Sequence, residues 1–165
     1  MAPWIQPGSS QISLPASITS SSPEETFSLG VNFASMLKKG DIVALKGPLG
    51  AGKTCFVKGV ARGLGVRDEV TSPTYTIVSE YGAFPPAEHA AEPVVFYHID
   101  AYRLRGSDDF IAIGGEEIIF SSGISMIEWS ERIEDLIPNT AFWVDIEICG
   151  DDKRLIRIYR TGEES

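Results

Sequence analysis

Between Gly47 and Thr54 the chain reads GPLGAGKT, with the short apolar stretch DIVALK before it and CFVKGVARGLG after it. Gly47, Gly52, Lys53 and Thr54 meet the pattern G-x-x-x-x-G-K-S/T. This pattern constrains the fold because its chemistry needs a strand on one side and a helix on the other. Glycines let the backbone wrap closely, so that successive amide N–H groups converge on a triphosphate. A helix starting near Lys53 adds its positive end. Lys53 supplies a point charge for the β- and γ-phosphates, and the Thr54 hydroxyl suits the shell of a Mg²⁺ ion.

The segments around this loop read as alternating helices and strands. SPEETFSLGVNFASMLKKG predicts a helix, with Ser22 as N-cap, Pro23 in the first turn, Phe27, Val31, Ala34 and Leu37 as its buried stripe, and Gly40 as its stop. DIVALK predicts a buried strand, and a second helix runs from Lys53 to Leu64, closed by Gly65. TYTIVSEY alternates as a strand, with Tyr75, Ile77 and Ser79 on one face. GAFPPAEHAAEP reads as a hairpin loop, and VVFYHI and ISMIE read as strands. One or two short helices are expected after Ser107, and AFWVDIEIC and RLIRIYR predict a hairpin around GDDK. Residues 1–22 read as a tail with a possible edge strand, 23–160 as one domain, and 161–165 as a short tail. The order predicts an α/β, three-layer fold of the P-loop NTPase kind, with a mixed, partly antiparallel central sheet.

A phosphate loop also needs acids. VVFYHID delivers Asp100 and ISMIE delivers Glu128, each at the carboxyl end of a strand, where ligands collect in an open α/β sheet. Either can join the metal or polarise the attacking water. In VTSPTYT, hydroxyls that include those of Ser72 and Thr74 crowd a loop able to sense the γ-phosphate. His98, two residues before Asp100, reads as a core or supporting histidine rather than a ligand, and His89 lies in the Pro-rich loop. No N/T-K-x-D element of a guanine reader is present, which favours ATP over GTP.

The remaining features exclude more than they assign. No apolar run is long enough for a membrane span, and the start MAPWIQPGSS reads as no secretion signal. Cys55 and Cys149 lie far apart and are expected to be reduced thiols. A net charge of −9 disfavours direct binding of a polyanion, so any link to nucleic acid is expected to run through a partner.

Taken together and in order, GPLGAGKT, TSPTYTIVSEY, YHIDAYRL, GGEE and IEWSER closely resemble the TsaE family, over roughly residues 23–160. The resemblance implies a cytoplasmic ATPase that binds ATP and ADP with Mg²⁺ and hydrolyses ATP slowly alone. It implies service to the TsaD–TsaB complex, which places threonylcarbamoyl on the adenosine next to the anticodon of ANN-decoding tRNAs. The tRNA is then met only through that complex, which hydrolysis resets. By motif, Gly50, Ala51, Gly52, Lys53, Thr54 and Cys55 would line the phosphates, and Thr54, Glu128 and Asp100 would serve the metal. Ser72 and Thr74 match a switch-like loop, Trp129 a tryptophan near the nucleotide or partner, and Thr26 a position near the adenine. The catalytic set would be Lys53, Asp100 and Glu128. Two other readings stay open: a small-molecule kinase with Arg103 and Arg105 as a lid, and a nucleotide-dependent adaptor whose hydrolysis is incidental.

Overall fold

The computed structural model describes residues 12–73, 75–85 and 92–161. In chain order the elements are β1 (Ala16–Ser20), α1 (Pro23–Phe33), β2 (Ile42–Lys46), α2 (Lys53–Gly63), β3 (Val78–Ala83), β4 (Val94–Asp100), α3 (Ser107–Ala112), α4 (Gly115–Ile119), β5 (Ile124–Glu128), β6 (Phe142–Ile148) and β7 (Arg154–Arg160). The strands form one seven-stranded sheet in the order β1-β7-β6-β2-β5-β4-β3. β2 runs parallel to β5 and β6, and β5 parallel to β4. β3, β7 and β1 add antiparallel edges. The mixed sheet expected from the late hairpin is present.

The two faces of the sheet are covered differently, giving three layers. On one face α1 and α2 pack Phe33, Phe56 and Val60 against Phe96, Met126 and Phe142. On the other, Phe110, Ile119 and Ile133 cover Ile42, Ile99 and Ile127. The helices α1 and α2 approach closely because glycines face each other: a Cβ at Gly59 would lie 1.9 Å from the Phe27 carbonyl oxygen, and one at Gly30 would lie 2.4 Å from that of Phe56. Any side chain at either position would push the phosphate-loop helix off its neighbour.

Two local expectations change. α1 has the expected Ser22 cap, whose Oγ accepts from the Glu25 amide at 3.1 Å, but it ends at Phe33 rather than near Gly40. A 3-10 turn at Ala34–Met36 follows. The Asp41 carboxylate then accepts from both the amide and the ammonium of Lys38, fixing a turn where the helix was expected to continue. The strand read into TYTIVSEY starts only at Val78, because Ile77 adopts a left-handed backbone (φ 65°) and its carbonyl accepts from the Asp100 amide. Thr74 lies outside the described residues, as does His89. The short helices expected after Ser107 are α3, which begins at that residue, and α4, and the Ser107 hydroxyl donates to the Asp135 carboxylate. Among the described residues no helix is long and apolar enough to cross a membrane.

Candidate phosphate-binding site

The parallel register of β2, β5 and β4 brings the predicted residues to one end of the sheet. β2 ends at Lys46, the glycine loop turns over its tip, and α2 begins at Lys53. Gly52 caps α2 in a left-handed conformation (φ 106°), which a side chain would strain. Asp100 on β4 and Glu128 on β5 face each other in register. A cavity of about 300 Å³ is bounded by the loop, Thr54, Ser72, Asp100, Glu128 and Trp129.

Glu128 is the best-anchored acid in this cavity. It is only 3% exposed. The Thr54 hydroxyl donates to it, lying 2.9 Å from Oε1 and 3.0 Å from Oε2. His98, fully buried, places Nε2 2.5 Å from Glu128 Oε2. Asp100 is held more loosely: Oδ1 accepts from the Tyr102 amide at 3.0 Å, and the Ser72 hydroxyl lies 3.5 Å from Oδ2.

Lys53 folds back over the loop. Its ammonium donates to the carbonyls of Gly47 and Pro48 and sits 4.0 Å from the centre of the Trp129 ring. Burial pulls its pKa below the ordinary 10.5, against the opposing pull of Glu128, Glu131 and Asp100. A phosphate arriving in the loop would favour the charged form. Trp129 itself has a left-handed backbone (φ 58°), a conformation that costs about 1–3 kcal/mol in a non-glycine residue. That turn carries the chain from β5 into the 3-10 turn at Ser130–Leu136 and lets the indole cover Lys53, with the Tyr102 ring centred 4.9 Å away.

At the other end of the loop lies a smaller cavity of about 180 Å³, lined among others by Ser22, Thr26, Cys55, Asp151, Asp152 and Arg154. Thr26 is buried, with Oγ1 2.7 Å from the Ser20 hydroxyl. The Cys55 thiol donates to the Pro23 carbonyl at 3.2 Å, and burial pushes its pKa up. Gly50, Ala51 and Gly52 separate the two cavities and line both. The structure therefore gathers Gly50 to Cys55, Ser72, Asp100, Glu128 and Trp129 around one space, and sets Thr26 against the second. Of the two arginines weighed as a lid, Arg105 is paired with Asp109, and Arg103 lies 4.9 Å from the Tyr75 ring centre.

One residue escaped the sequence reading. Arg154, at the start of β7, donates to the loop carbonyls of Ala51 (3.1 Å) and Gly50 (3.3 Å), and also to Gly150, Asp151 and Lys153 of its own turn. It clamps the β6–β7 turn onto the phosphate loop. Nothing in the sequence ties it to residues about a hundred positions earlier. His98, read from the sequence as a core or supporting histidine, is buried against Glu128, a partner that its spacing did not name.

The donor set fits a hard cation. Thr54 and the two carboxylates are oxygen donors, and Mg²⁺ takes one or two carboxylates and fills its remaining positions with water and phosphate. Among the described residues there is no cluster of three or more His, Cys, Asp or Glu side chains that would hold an ion without such help.

Comparison with known proteins gives the family. The family model for "Threonylcarbamoyl adenosine biosynthesis protein TsaE" matches residues 20–156. The chain is 37% identical over 139 residues to the tRNA threonylcarbamoyladenosine biosynthesis protein TsaE of Treponema pallidum, covering 84% of this chain and 96% of that one. It is 38% identical to the TsaE proteins of Bacillus subtilis, covering 85% and 82%, and of Aquifex aeolicus, covering 84% and 92%. Among solved structures, Bacillus subtilis YdiB superposes with a TM-score of 0.68 at 33% identity, covering 93% of this chain and 90% of that one.

Proposed function

Because the chain belongs to the TsaE family of tRNA threonylcarbamoyladenosine biosynthesis proteins, we propose that it is a Mg²⁺-dependent ATP hydrolase that docks on the TsaD–TsaB complex and resets it between turnovers. The observation that carries the reading is the contact of Thr54 with Glu128, 74 positions apart in sequence, beside Lys53 in one cavity. A hydroxyl at the start of the phosphate-loop helix bonded to a strand-end carboxylate is the pairing a phosphate-bound metal needs.

Each side chain then has a separable task. Loop amides and the Lys53 ammonium bind the phosphate oxygens and neutralise charge that builds on the leaving group. Thr54 and Glu128 would hold the Mg²⁺, which when bound supplies charge stabilisation at the β- and γ-phosphates. Asp100, less buried and closer to Ser72, orients the water whose oxygen attacks the γ-phosphorus. The water's proton is given up to solvent, the bond to the ADP oxygen breaks, and inorganic phosphate leaves. Trp129 and Tyr102 wall off one side of the cavity from solvent.

Exposed apolar groups at the site support docking of a partner there. Leu49 at the loop tip is 82% exposed, and Tyr102 packs on Trp129 with half its surface in water. Such groups mark interaction surfaces when they gather at one place. The acidic surface fits a route to tRNA through that partner.

The test follows the γ-phosphate of labelled ATP, with the purified chain alone and with TsaD–TsaB. The expected result is inorganic phosphate as the sole labelled product, formed slowly alone and several-fold faster with the complex. A labelled metabolite would favour a kinase. A rate indifferent to TsaD–TsaB would remove the resetting role.

A further inference from the structure

We propose that His98 is a positioning residue that fixes which oxygen of Glu128 is presented to the metal; the inference rests on the reading of Thr54 and Glu128 as the metal's holders. His98 has no exposed surface, yet it is spent on a single polar contact, Nε2 to Glu128 Oε2 at 2.5 Å. Its Nδ1 is buried with no hydrogen-bond partner among the described residues. That asymmetry assigns the tautomer. A proton on Nδ1 would be a buried donor with no acceptor, and Nε2 would then face a carboxylate lone pair to lone pair. With the proton on Nε2, the ring donates to Glu128, and only a lone pair is left unmatched.

The consequence falls on the carboxylate. The terminal torsion of a glutamate is broad, so nothing intrinsic to Glu128 sets its plane. Oε2 takes the His98 donor and lies 3.0 Å from the Thr54 hydroxyl, whereas Oε1 has the Thr54 contact alone, at 2.9 Å. The imidazole therefore pins Oε2 and leaves lone-pair capacity on Oε1, the oxygen nearer Thr54. Outer partners of this kind orient ligands, and their loss typically lowers metal affinity by about 10- to 100-fold. β4 and β5 make the contact possible, because His98 stands in register with Met126, two residues before Glu128 on the same sheet face.

The first measurement uses the unaltered protein. Imidazole ¹⁵N spectra contain signals from two histidines only, and His98 is expected to carry its proton on Nε2; an Nδ1–H form overturns the proposal. The second is calorimetry of ADP binding with and without Mg²⁺. His98→Phe should cut the Mg²⁺-dependent gain in ADP affinity by about tenfold and leave Mg²⁺-free ADP affinity unchanged. His98→Gln, which retains a donor, should recover most of the gain. Full retention of the gain in His98→Phe, or an equal fall of both affinities, would make the histidine a packing residue and overturn the proposal. A wild-type protein whose ADP affinity ignores Mg²⁺ would instead refute the metal reading beneath it, and the proposal with it.

Discussion

Lys53→Ala is expected to lose tight nucleotide binding while remaining folded. The ammonium donates to the carbonyls at the start of the loop, from Gly47 and Pro48, and it is buried under Trp129. Truncating one member of a desolvated charge pair costs about 2–5 kcal/mol, which is roughly 30-fold to several thousandfold in affinity. Folding should survive, because the carbonyls released at the loop can turn to water and the core beneath involves none of them. Equilibrium binding of an ATP analogue measures the loss, and unchanged affinity would refute the site. The same lysine sets an alkaline limit in the wild-type protein. Burial lowers its pKa, and phosphate favours the charged form, so binding takes up a proton once the free lysine has lost it. Affinity should therefore fall as the pH rises through the lowered value, below 10.5.

Glu128→Gln should show the opposite division: nucleotide still binds, and phosphate release nearly stops. The amide is close in shape to the carboxylate, and its oxygen can still accept from Thr54, while its NH2 group takes the place of the oxygen that meets His98. What disappears is the negative charge that Thr54 and His98 hold in place. A metal worth several kcal/mol of charge stabilisation at the phosphates is then held more weakly, and turnover should fall by about 10²-fold or more. Single-turnover phosphate release set beside analogue binding separates the two effects. If the variant hydrolyses ATP at the wild-type rate, Glu128 has no part in the chemistry. If it cannot hydrolyse yet sustains repeated rounds of tRNA modification with TsaD–TsaB, binding alone suffices and the adaptor reading replaces the resetting one.

The parts of this site legible in the sequence are those encoded locally. Gly47 to Thr54 specify their own conformation, since glycine positions and the strand and helix around them lie within one short stretch. Asp100 and Glu128 were visible as acids ending apolar runs, and their pairing needed only the rule that ligands gather beyond strand ends. The central sheet and its antiparallel additions followed from strand alternation and from the GDDK turn. What stayed hidden depends on side chains reaching across elements. Arg154 meets Gly50 and Ala51 only because the β6–β7 turn folds beside the loop, and no periodicity announces that. His98 required the β4–β5 register. The left-handed backbones of Ile77 and Trp129 also gave no warning, because neither residue type favours that conformation; tertiary contacts impose it.

The most direct test of the phosphate cradle is a crystal structure with Mg²⁺ and a nonhydrolysable ATP analogue. The expected result has the triphosphate wrapped by the 47–54 loop, with Lys53 drawn off the Gly47 and Pro48 carbonyls onto phosphate oxygens. The cation should lie against the Thr54 hydroxyl on the Glu128 side. A nucleotide bound elsewhere with Lys53 still on the two carbonyls, or a cation remote from both Thr54 and Glu128, would contradict it.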